Sequence, residues 1–158
     1  MSHHSNGVLG YRFLICRQLR MDTLSKEKRS WNMSRIRSKG TRPEKIVRSL
    51  LHNMGYRFRV HVRSLPGTPD LVLRRYRTVV FVHGCFWHRH PGCKYAYTPK
   101  SRLDFWTSKF DQNVRAYARA ATELENLGWH VLVIWECETS ETDALKTKFL
   151  SLFSRSLE

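Results

Sequence analysis

Residues 83–93 concentrate side chains that could carry out chemistry. This segment contains cysteines, several histidines and two adjacent large aromatic residues, Phe86 and Trp87. Thiolates and imidazoles bind zinc, imidazoles transfer protons near neutral pH, and aromatic side chains can enter between stacked bases. A loop with a purely structural metal needs only its ligands. The composition of this segment therefore favours an enzyme that acts on nucleic acid.

Four residues in and beyond this segment could form a closed metal site. They are Cys85, His90, Cys93 and Cys137, of which the first three have the spacing Cys-x4-His-x2-Cys. Three thiolates and one imidazole make a tetrahedral set typical of structural zinc, with no open position for a substrate. His83, His88 or His130 could replace one ligand, and the alternative without a metal is a group of buried free cysteines.

A candidate catalytic centre lies around Asp70, which opens a predicted strand directly after a turn. The next predicted strand ends at Val82 and His83, so we expect both strand ends to meet at one edge of a sheet. There a carboxylate and a free backbone carbonyl could share magnesium, which prefers oxygen ligands. His83 and His88 are candidates for the general base and general acid of phosphodiester hydrolysis. Alone, Asp70 is typical of a turn and Glu44 of a helix cap; only the joint pattern indicates a site.

The charge of the chain indicates a polyanionic partner. Its 158 residues include 28 Lys and Arg against 13 Asp and Glu, a net charge of +15. An anionic membrane surface is the alternative, but the basic residues are interleaved with aromatics and not gathered on one amphipathic helix, which favours nucleic acid. No apolar run is long enough to span a bilayer and no signal peptide is indicated, so we expect a cytosolic protein in which clustered cysteines bind metal.

Hydrophobic periodicity predicts an α/β domain with a mixed sheet and helices on both faces. We expect residues 1–24 to form a poorly ordered N-terminal extension and residues 25–158 to form a single domain. The predicted order is α-β-β-β-α-β-α, with a capped helix at 41–55, strands at 58–62, 70–73 and 78–82, a long helix at 103–128, a central strand at 129–135 and a final helix at 142–156.

The sequence Phe-Val-His-Gly-Cys-Phe-Trp-His at 81–88, with a downstream His-x2-Cys, resembles the very short patch repair endonucleases, which nick DNA beside a T:G mismatch. The resemblance covers about residues 25–140. Further matching motifs occur at 32–33, 44–45, 65–70, 105–106, 109, 113–114, 128–129 and 135–138. It implies a variant of the restriction-endonuclease-like fold with a structural zinc site.

The resemblance also implies roles for individual residues of the catalytic centre. Asp70 would provide the magnesium carboxylate and Val82 the metal-binding carbonyl. His88 would act as the base on water, His83 would assist at the phosphate, and Glu44 would orient the water shell of the metal. The four matching zinc ligands are Cys85, His90, Cys93 and Cys137.

The matching DNA-binding residues are Phe86, Trp87 and Trp106, which would intercalate beside the mismatch, with Met33 and Asn113 as further contacts. Periodicity alone would place Trp106 in the core. Phe86 and Trp87 are adjacent in a polar loop and cannot both be buried easily, so we expect them to be exposed.

Three positions depart from the family pattern. Val82 stands where the family often has Thr, which a main-chain metal ligand tolerates. One extra residue lengthens the zinc loop between His90 and Cys93, and the chain has Arg115-Ala116-Tyr117 where the family tends to have an Arg-Asp pair.

The implied function is nicking of one strand of duplex DNA next to a T:G mismatch, the product of 5-methylcytosine deamination. It implies Mg²⁺ as catalytic and Zn²⁺ as structural cofactor, in a monomer of the bacterial cytoplasm that associates with the nucleoid through DNA. Mismatch-repair proteins are candidate partners, and no membrane is involved. The alternatives are a zinc-stabilised DNA-binding module without catalysis and a related nuclease with broader mismatch specificity.

Overall fold

The computed structural model describes residues 25, 27–28, 31 and 39–154, with side chains up to residue 151. The chain divides into two compact units, residues 1–36 and 37–158. In the first unit, the Lys28 N–H donates to Ser25 Oγ at 3.2 Å. The predicted extension at 1–24 and the predicted DNA contact Met33 lie outside the described residues.

Four strands form one mixed sheet in the second unit. They are β1 (Arg59–Val60), β2 (Leu71–Leu73), β3 (Thr78–His83) and β4 (His130–Trp135), in the order β1-β2-β3-β4. The pairs β1–β2 and β2–β3 are antiparallel, while β3 and β4 are parallel. A parallel pair needs a long crossover connection, and here that connection carries the long helix. The predicted mixed sheet is therefore confirmed.

Among the described residues of the second unit, three α-helices accompany the sheet in the predicted order. They are α1 (Arg42–Asn53), α2 (Leu103–Asn126) and α3 (Thr142–Ser154), with short 3₁₀ helices at Arg74–Tyr76 and Glu136–Ser140. The predicted capping box at the start of α1 is present, with Thr41 as the N-cap and Glu44 as its reciprocal partner. Helix α1 ends before Gly55, whose φ of +85° suits a residue without a side chain.

The sheet buries apolar side chains on both faces, as predicted. On one face it packs against α1 and α3 through Val47, Leu50, Leu51, Leu71, Leu73, Val80, Ile134, Leu145 and Phe149. On the other face Val72, Val79 and Phe81 pack with Leu124 of α2. The alternation of Leu71, Val72 and Leu73 between these two cores follows from the two-residue period of a strand.

Two strand predictions are wrong. The first strand has two residues instead of five, because His61 adopts a left-handed conformation (φ 47°) that ends the pairing, and Val60 is 44% exposed. The last strand lies at the edge of the sheet, since among the described residues β4 pairs with β3 alone. Helices cover both faces of this strand, which explains its apolar composition. A central strand and an edge strand that is covered in this way have the same composition.

Candidate active site and metal centre

Strand register brings the predicted catalytic residues to one edge of the sheet. Leu71 pairs with Val80 in antiparallel register, so Asp70 lies beside the end of β3. The Val82 N–H donates to Asp70 Oδ2 at 2.7 Å. His83 follows directly and is the last residue of β3. Because Asp70 uses one oxygen for this backbone bond, Oδ1 is the oxygen left for a further interaction.

Asp70 lies in an environment that disfavours its charged form. Burial, with a smaller contribution from the neighbouring Glu44 carboxylate, raises the pKa of this carboxyl from 3.8 to about 6. The Val82 N–H and the Arg48 guanidinium act in the opposite direction. A bound cation stabilises a buried carboxylate of this kind more than it stabilises an exposed one.

Glu44 has two sets of neighbours. Its carboxylate accepts bonds from the Thr41 N–H and hydroxyl at 3.2 and 2.9 Å, and from the Gly40 N–H at 2.9 Å. Arg48 also donates to it at 2.7 Å. A carboxylate oxygen of Glu44 lies within 4.8 Å of ligand atoms of Asp70 and His61. The cap therefore holds Glu44 close to Asp70, and the two interpretations of Glu44 are compatible.

His61 completes this group and was missed by the sequence analysis, which placed it only within the predicted strand at 58–62. Its ring lies 3.5 Å from Glu44 Oε2 and 3.8 Å from Asp70 Oδ1. The β1–β2 register pairs Val60 with Leu71, which puts the next residue, His61, beside Asp70. A tight hairpin closed by the turn at 66–69 would instead pair Asp70 with Leu65, so the sequence carries no local signal for this neighbour.

His83 and His88 form a stacked pair. Their ring centroids lie 3.7 Å apart with an interplanar angle of 6°. Burial, with a smaller contribution from His88, lowers the pKa of His83 to about 3, and burial also lowers the pKa of His88. Tyr117 packs edge-on against His83, with centroids 4.5 Å apart. Both imidazoles are therefore neutral at neutral pH, and His88, the more exposed of the two, can accept a proton.

Tyr117, which departs from the family pattern, contacts the histidine pair. Its ring packs against Phe81 as well as His83, with centroids 5.4 Å apart for Phe81. An aromatic residue therefore packs against His83 at the position where the family pattern predicts a charged pair.

The four predicted zinc ligands come together in a second group. The ligand atoms of Cys85, His90, Cys93 and Cys137 all lie within 4.8 Å of one another. His90 Nδ1 is 3.6 Å from Cys85 Sγ and 3.3 Å from Cys137 Sγ. A tetrahedral ion with bonds typical of zinc requires sulfur and nitrogen to be about 3.5 Å apart. The group fits a tetrahedral metal, and the alternative ligands His83, His88 and His130 lie outside it.

Local structure explains how these four ligands meet. The β3–β4 register pairs His83 with Trp135, so the loop after β3 and the 3₁₀ helix after β4 start at the same sheet edge. The His90 ring stacks on Trp135 at 4.2 Å and 7°. Burial raises the pKa of the Cys85 thiol to about 12, so this thiol loses its proton readily only to a cation that binds the sulfur.

Four aromatic side chains form a cluster between the loop and α2; we call Phe86, Trp87, Trp106 and Phe110 the aromatic cluster. Phe86 is its centre, with ring centroids 5.1 Å from Trp87, 5.3 Å from Trp106 and 5.0 Å from Phe110. Phe86 and Trp87 are half-buried, so their predicted exposure is wrong: mutual packing covers part of each ring. Trp106 is also half-buried, while Phe110 belongs to the core.

Asn113, a predicted DNA contact, holds this loop in place. Its Nδ2 donates to the Trp87 carbonyl at 3.2 Å and so ties the loop to α2. Contact of Asn113 with DNA stays a prediction.

The raised pKa of Asp70 predicts that the stability of the fold depends on pH. The folded protein binds this proton more tightly than the unfolded chain, so Asp70 destabilises the fold as pH rises above 4 and does so fully above its folded pKa of about 6. The shift corresponds to about 3 kcal/mol. Asp70→Asn, whose amide oxygen can accept the Val82 bond, should therefore stabilise the protein by up to about 3 kcal/mol at about pH 7.5 without added divalent ions.

Urea unfolding at two pH values measures this effect. The gain should shrink to below about 1 kcal/mol at about pH 4, where Asp70 is protonated in the folded protein and about half protonated in the unfolded chain. A gain that is equal at both pH values would show that the carboxylate charge is not its cause.

Comparisons with known proteins agree with this geometry. The family model described as "DNA mismatch endonuclease Vsr" matches residues 21–94. The type II nicking enzyme V.XorIIP of Xanthomonas oryzae pv. oryzae is 50% identical over 135 residues, which are 85% of this chain and 98% of the relative. The chain belongs to the Vsr family. DNA mismatch endonuclease Vsr of Escherichia coli K12 is 42% identical over 130 residues, 82% of this chain and 83% of the relative.

A third Vsr-like relative, the type II nicking enzyme V.NmeAIP of Neisseria meningitidis, is 45% identical over 117 residues, 74% of this chain and 83% of the relative. Membership of the Vsr family makes the chain a DNA-cleaving hydrolase with a restriction-endonuclease-like α/β fold, and the family implies a divalent metal. In the part of the chain that the structure describes, no helix is both long and apolar enough to cross a membrane.

Proposed function

We propose that this Vsr-family chain nicks one strand of duplex DNA next to a T:G mismatch by magnesium-dependent hydrolysis. The observation that carries the proposal is the sheet edge where Asp70, bound by the Val82 N–H, lies beside the strand end that carries the stacked pair His83–His88. A carboxylate and neutral imidazoles at one edge provide a cation site and a proton acceptor for attack on phosphorus.

Each residue of the site has a separate role in hydrolysis. Asp70 and the Val82 carbonyl would hold the magnesium ion, with Glu44 orienting its water shell. Bound magnesium supplies positive charge that stabilises the leaving 3′ oxygen. His88 takes a proton from the attacking water as the water oxygen bonds to phosphorus and the bond from phosphorus to the 3′ oxygen breaks. The leaving oxygen takes a proton from solvent. His83 supports His88 by stacking and assists at the phosphate.

The second metal in the proposal is structural zinc bound by Cys85, His90, Cys93 and Cys137. Three sulfurs and one nitrogen with mutual distances suited to a tetrahedron support zinc over a hard cation, which prefers oxygen. Protein side chains occupy all four coordination positions of this ion, so no position is open for a substrate. Its function is to fasten the loop that carries His88 to the end of β4.

The aromatic cluster is the element that we propose to recognise the mismatch. Opening a base step costs a few kcal/mol, and a wobble pair lowers that cost. Half-buried rings that are already packed together can enter the duplex with little loss of side-chain freedom. The positive charge of the chain supplies binding to phosphates without sequence preference.

Alanine substitution in the aromatic cluster should slow nicking beside the mismatch. Trp87→Ala should lower the nicking rate on a T:G duplex about 5- to 150-fold, equivalent to the roughly 1–3 kcal/mol of one base–aromatic contact. Tyr95→Ala is the matched control, because Tyr95 is 51% exposed and lies outside the cluster. An equal loss in both variants, measured in single-turnover nicking, would contradict the assignment.

The proposed function itself is tested by nicking of labelled duplexes that differ at one base pair. With magnesium present, we expect a single nick beside T:G and at least about a hundredfold slower cleavage of the T:A duplex, in line with about 3 kcal/mol of discrimination. Cleavage of several mismatches at similar rates would indicate the broader nuclease. Binding without any cleavage would indicate a zinc-stabilised DNA-binding module.

The proposal also covers the oligomeric state, the cell compartment and the partners of the protein. We expect a monomer in the bacterial cytoplasm that associates with the nucleoid through DNA, with mismatch-repair proteins as candidate partners. Size-exclusion chromatography with light scattering tests the monomer, and a dimer would contradict it.

A further inference from the structure

The neighbours of His61 assign a proton to one atom of its ring. Arg48 Nη2 lies 2.9 Å from His61 Nε2. A guanidinium has only donors, so Nε2 must present its lone pair to Arg48 and cannot carry a proton. A neutral imidazole has one N–H, which then resides on Nδ1. Nδ1 is the atom that lies 3.8 Å from Asp70 Oδ1.

Arg48 is itself fixed by the neighbouring carboxylate. The same Nη2 lies 2.7 Å from Glu44 Oε2, and Glu44 is only 3% exposed. The backbone adds a second restraint, because the His61 N–H donates to the Asp70 carbonyl at 3.4 Å. A continuous series of contacts therefore runs from the helix cap at Glu44 through Arg48 and His61 to the free oxygen of Asp70.

We propose that Arg48 and His61 form a positioning pair for Asp70, in which Arg48 selects the Nδ1–H form of His61 and this N–H fixes the orientation of Asp70 Oδ1. The inference rests on the proposed role of Asp70 in metal binding. At 3.8 Å the contact is electrostatic and longer than a hydrogen bond. Each oxygen of the Asp70 carboxylate therefore has one defined neighbour: the Val82 N–H contacts Oδ2 and His61 contacts Oδ1.

His61 is therefore not a metal ligand in this account, although it groups with two carboxylates. Ligation needs a bare nitrogen, and in this arrangement Nε2 is used by Arg48 while Nδ1 carries the proton. Its effect passes through Asp70. Partners of this kind typically change metal affinity or activity 10- to 100-fold when they are removed.

The proton position can be measured without any nuclease activity. In the full chain without added magnesium, ¹⁵N–¹H correlation spectra of the histidine rings should show His61 with its proton on Nδ1. Arg48→Met should move that proton wholly or partly to Nε2, because the donor that excludes it is gone. Nδ1 protonation that persists unchanged in this variant, or Nε2 protonation in the parent protein, would overturn the proposal.

Paired substitutions test the consequence for the metal. Glutamine can accept from Arg48 through its amide oxygen and donate toward Asp70 through its NH₂, whereas alanine can do neither. His61→Ala should weaken Mn²⁺ binding, measured by electron paramagnetic resonance of free manganese, about 10-fold or more. His61→Gln should stay within about threefold of the parent protein. His52→Ala is the control, because His52 is an exposed histidine near the end of the same helix as Arg48.

The nicking assay adds a readout that a purely structural role would not change in the same way. His61→Ala should raise the magnesium concentration for half-maximal nicking about 10-fold, with a maximal rate within a few-fold of the parent protein. If glutamine fails to restore metal affinity, the contacts to Arg48 and Asp70 do not explain the effect of His61 and the proposal is wrong. If the parent protein binds Mn²⁺ but nicks no duplex, the proposed function fails while the ring spectra and the binding series still decide the role of His61.

Discussion

Asp70→Asn should lower the rate of T:G nicking at least about a thousandfold, equivalent to about 4 kcal/mol of barrier, while DNA affinity changes by less than about threefold. Asparagine keeps the shape of the side chain and can accept the Val82 N–H, but it lacks the charge that attracts a divalent ion. Burial also raises the pKa of this carboxyl to about 6, so a bound cation would stabilise its charged form. Single-turnover nicking and equilibrium DNA binding measure the two effects separately.

Asp143→Asn is the matched control for this substitution. Asp143 lies at the start of α3, and its side chain is 91% exposed in an ion pair with Lys146. It should nick at the parent rate. Comparable losses in the Asp70 and Asp143 variants would show that overall charge and not the site controls the rate, and an active Asp70→Asn protein would contradict the metal role of Asp70.

Cys137→Ser should destabilise the protein by about 4 kcal/mol or more, since loss of a structural metal is among the largest effects of a single substitution. For a chain of this size that corresponds to a fall in the unfolding temperature of roughly 8–16 °C. Cys137 lies in the 3₁₀ helix after β4, whereas the other three ligands lie in the loop after β3, so this residue alone makes the metal a cross-link between the two segments. Thermal unfolding and zinc content by elemental analysis measure the effect.

Cys16→Ser is the control for this substitution, because Cys16 is the one cysteine of the sequence outside the predicted set. It should keep one zinc per chain and the parent unfolding temperature. Full zinc content with unchanged stability in Cys137→Ser would remove this residue from the ligand set.

Much of the fold could be predicted from local signals. The capping box at Thr41 and Glu44 marks the start of α1, and the glycine at 55 marks its end, because each depends on a few neighbouring residues. The long helix follows from three- and four-residue spacing. The metal group was also predictable, since three of its ligands lie within nine residues and their types are unusual in this combination.

The remaining features depend on contacts between distant segments. Strand β4 reads as central because its residues are apolar, and only the sheet order shows that, among the described residues, it pairs with a strand on one side alone. The roles of Arg48 and His61 depend on contacts across 13 residues of sequence and on a left-handed turn at His61. Exposure of Phe86 and Trp87 was judged from their own loop, but α2 supplies the partners that cover them.

The central claim is that a divalent ion bound by Asp70 meets the scissile phosphate beside His88. Anomalous diffraction from crystals of the protein with a T:G duplex and manganese tests it most directly. We expect a manganese peak between the Asp70 carboxylate and a phosphate next to the mismatch, with the His88 ring facing that phosphate. A complex in which manganese avoids Asp70, or in which the mismatch lies away from this sheet edge, would contradict the account.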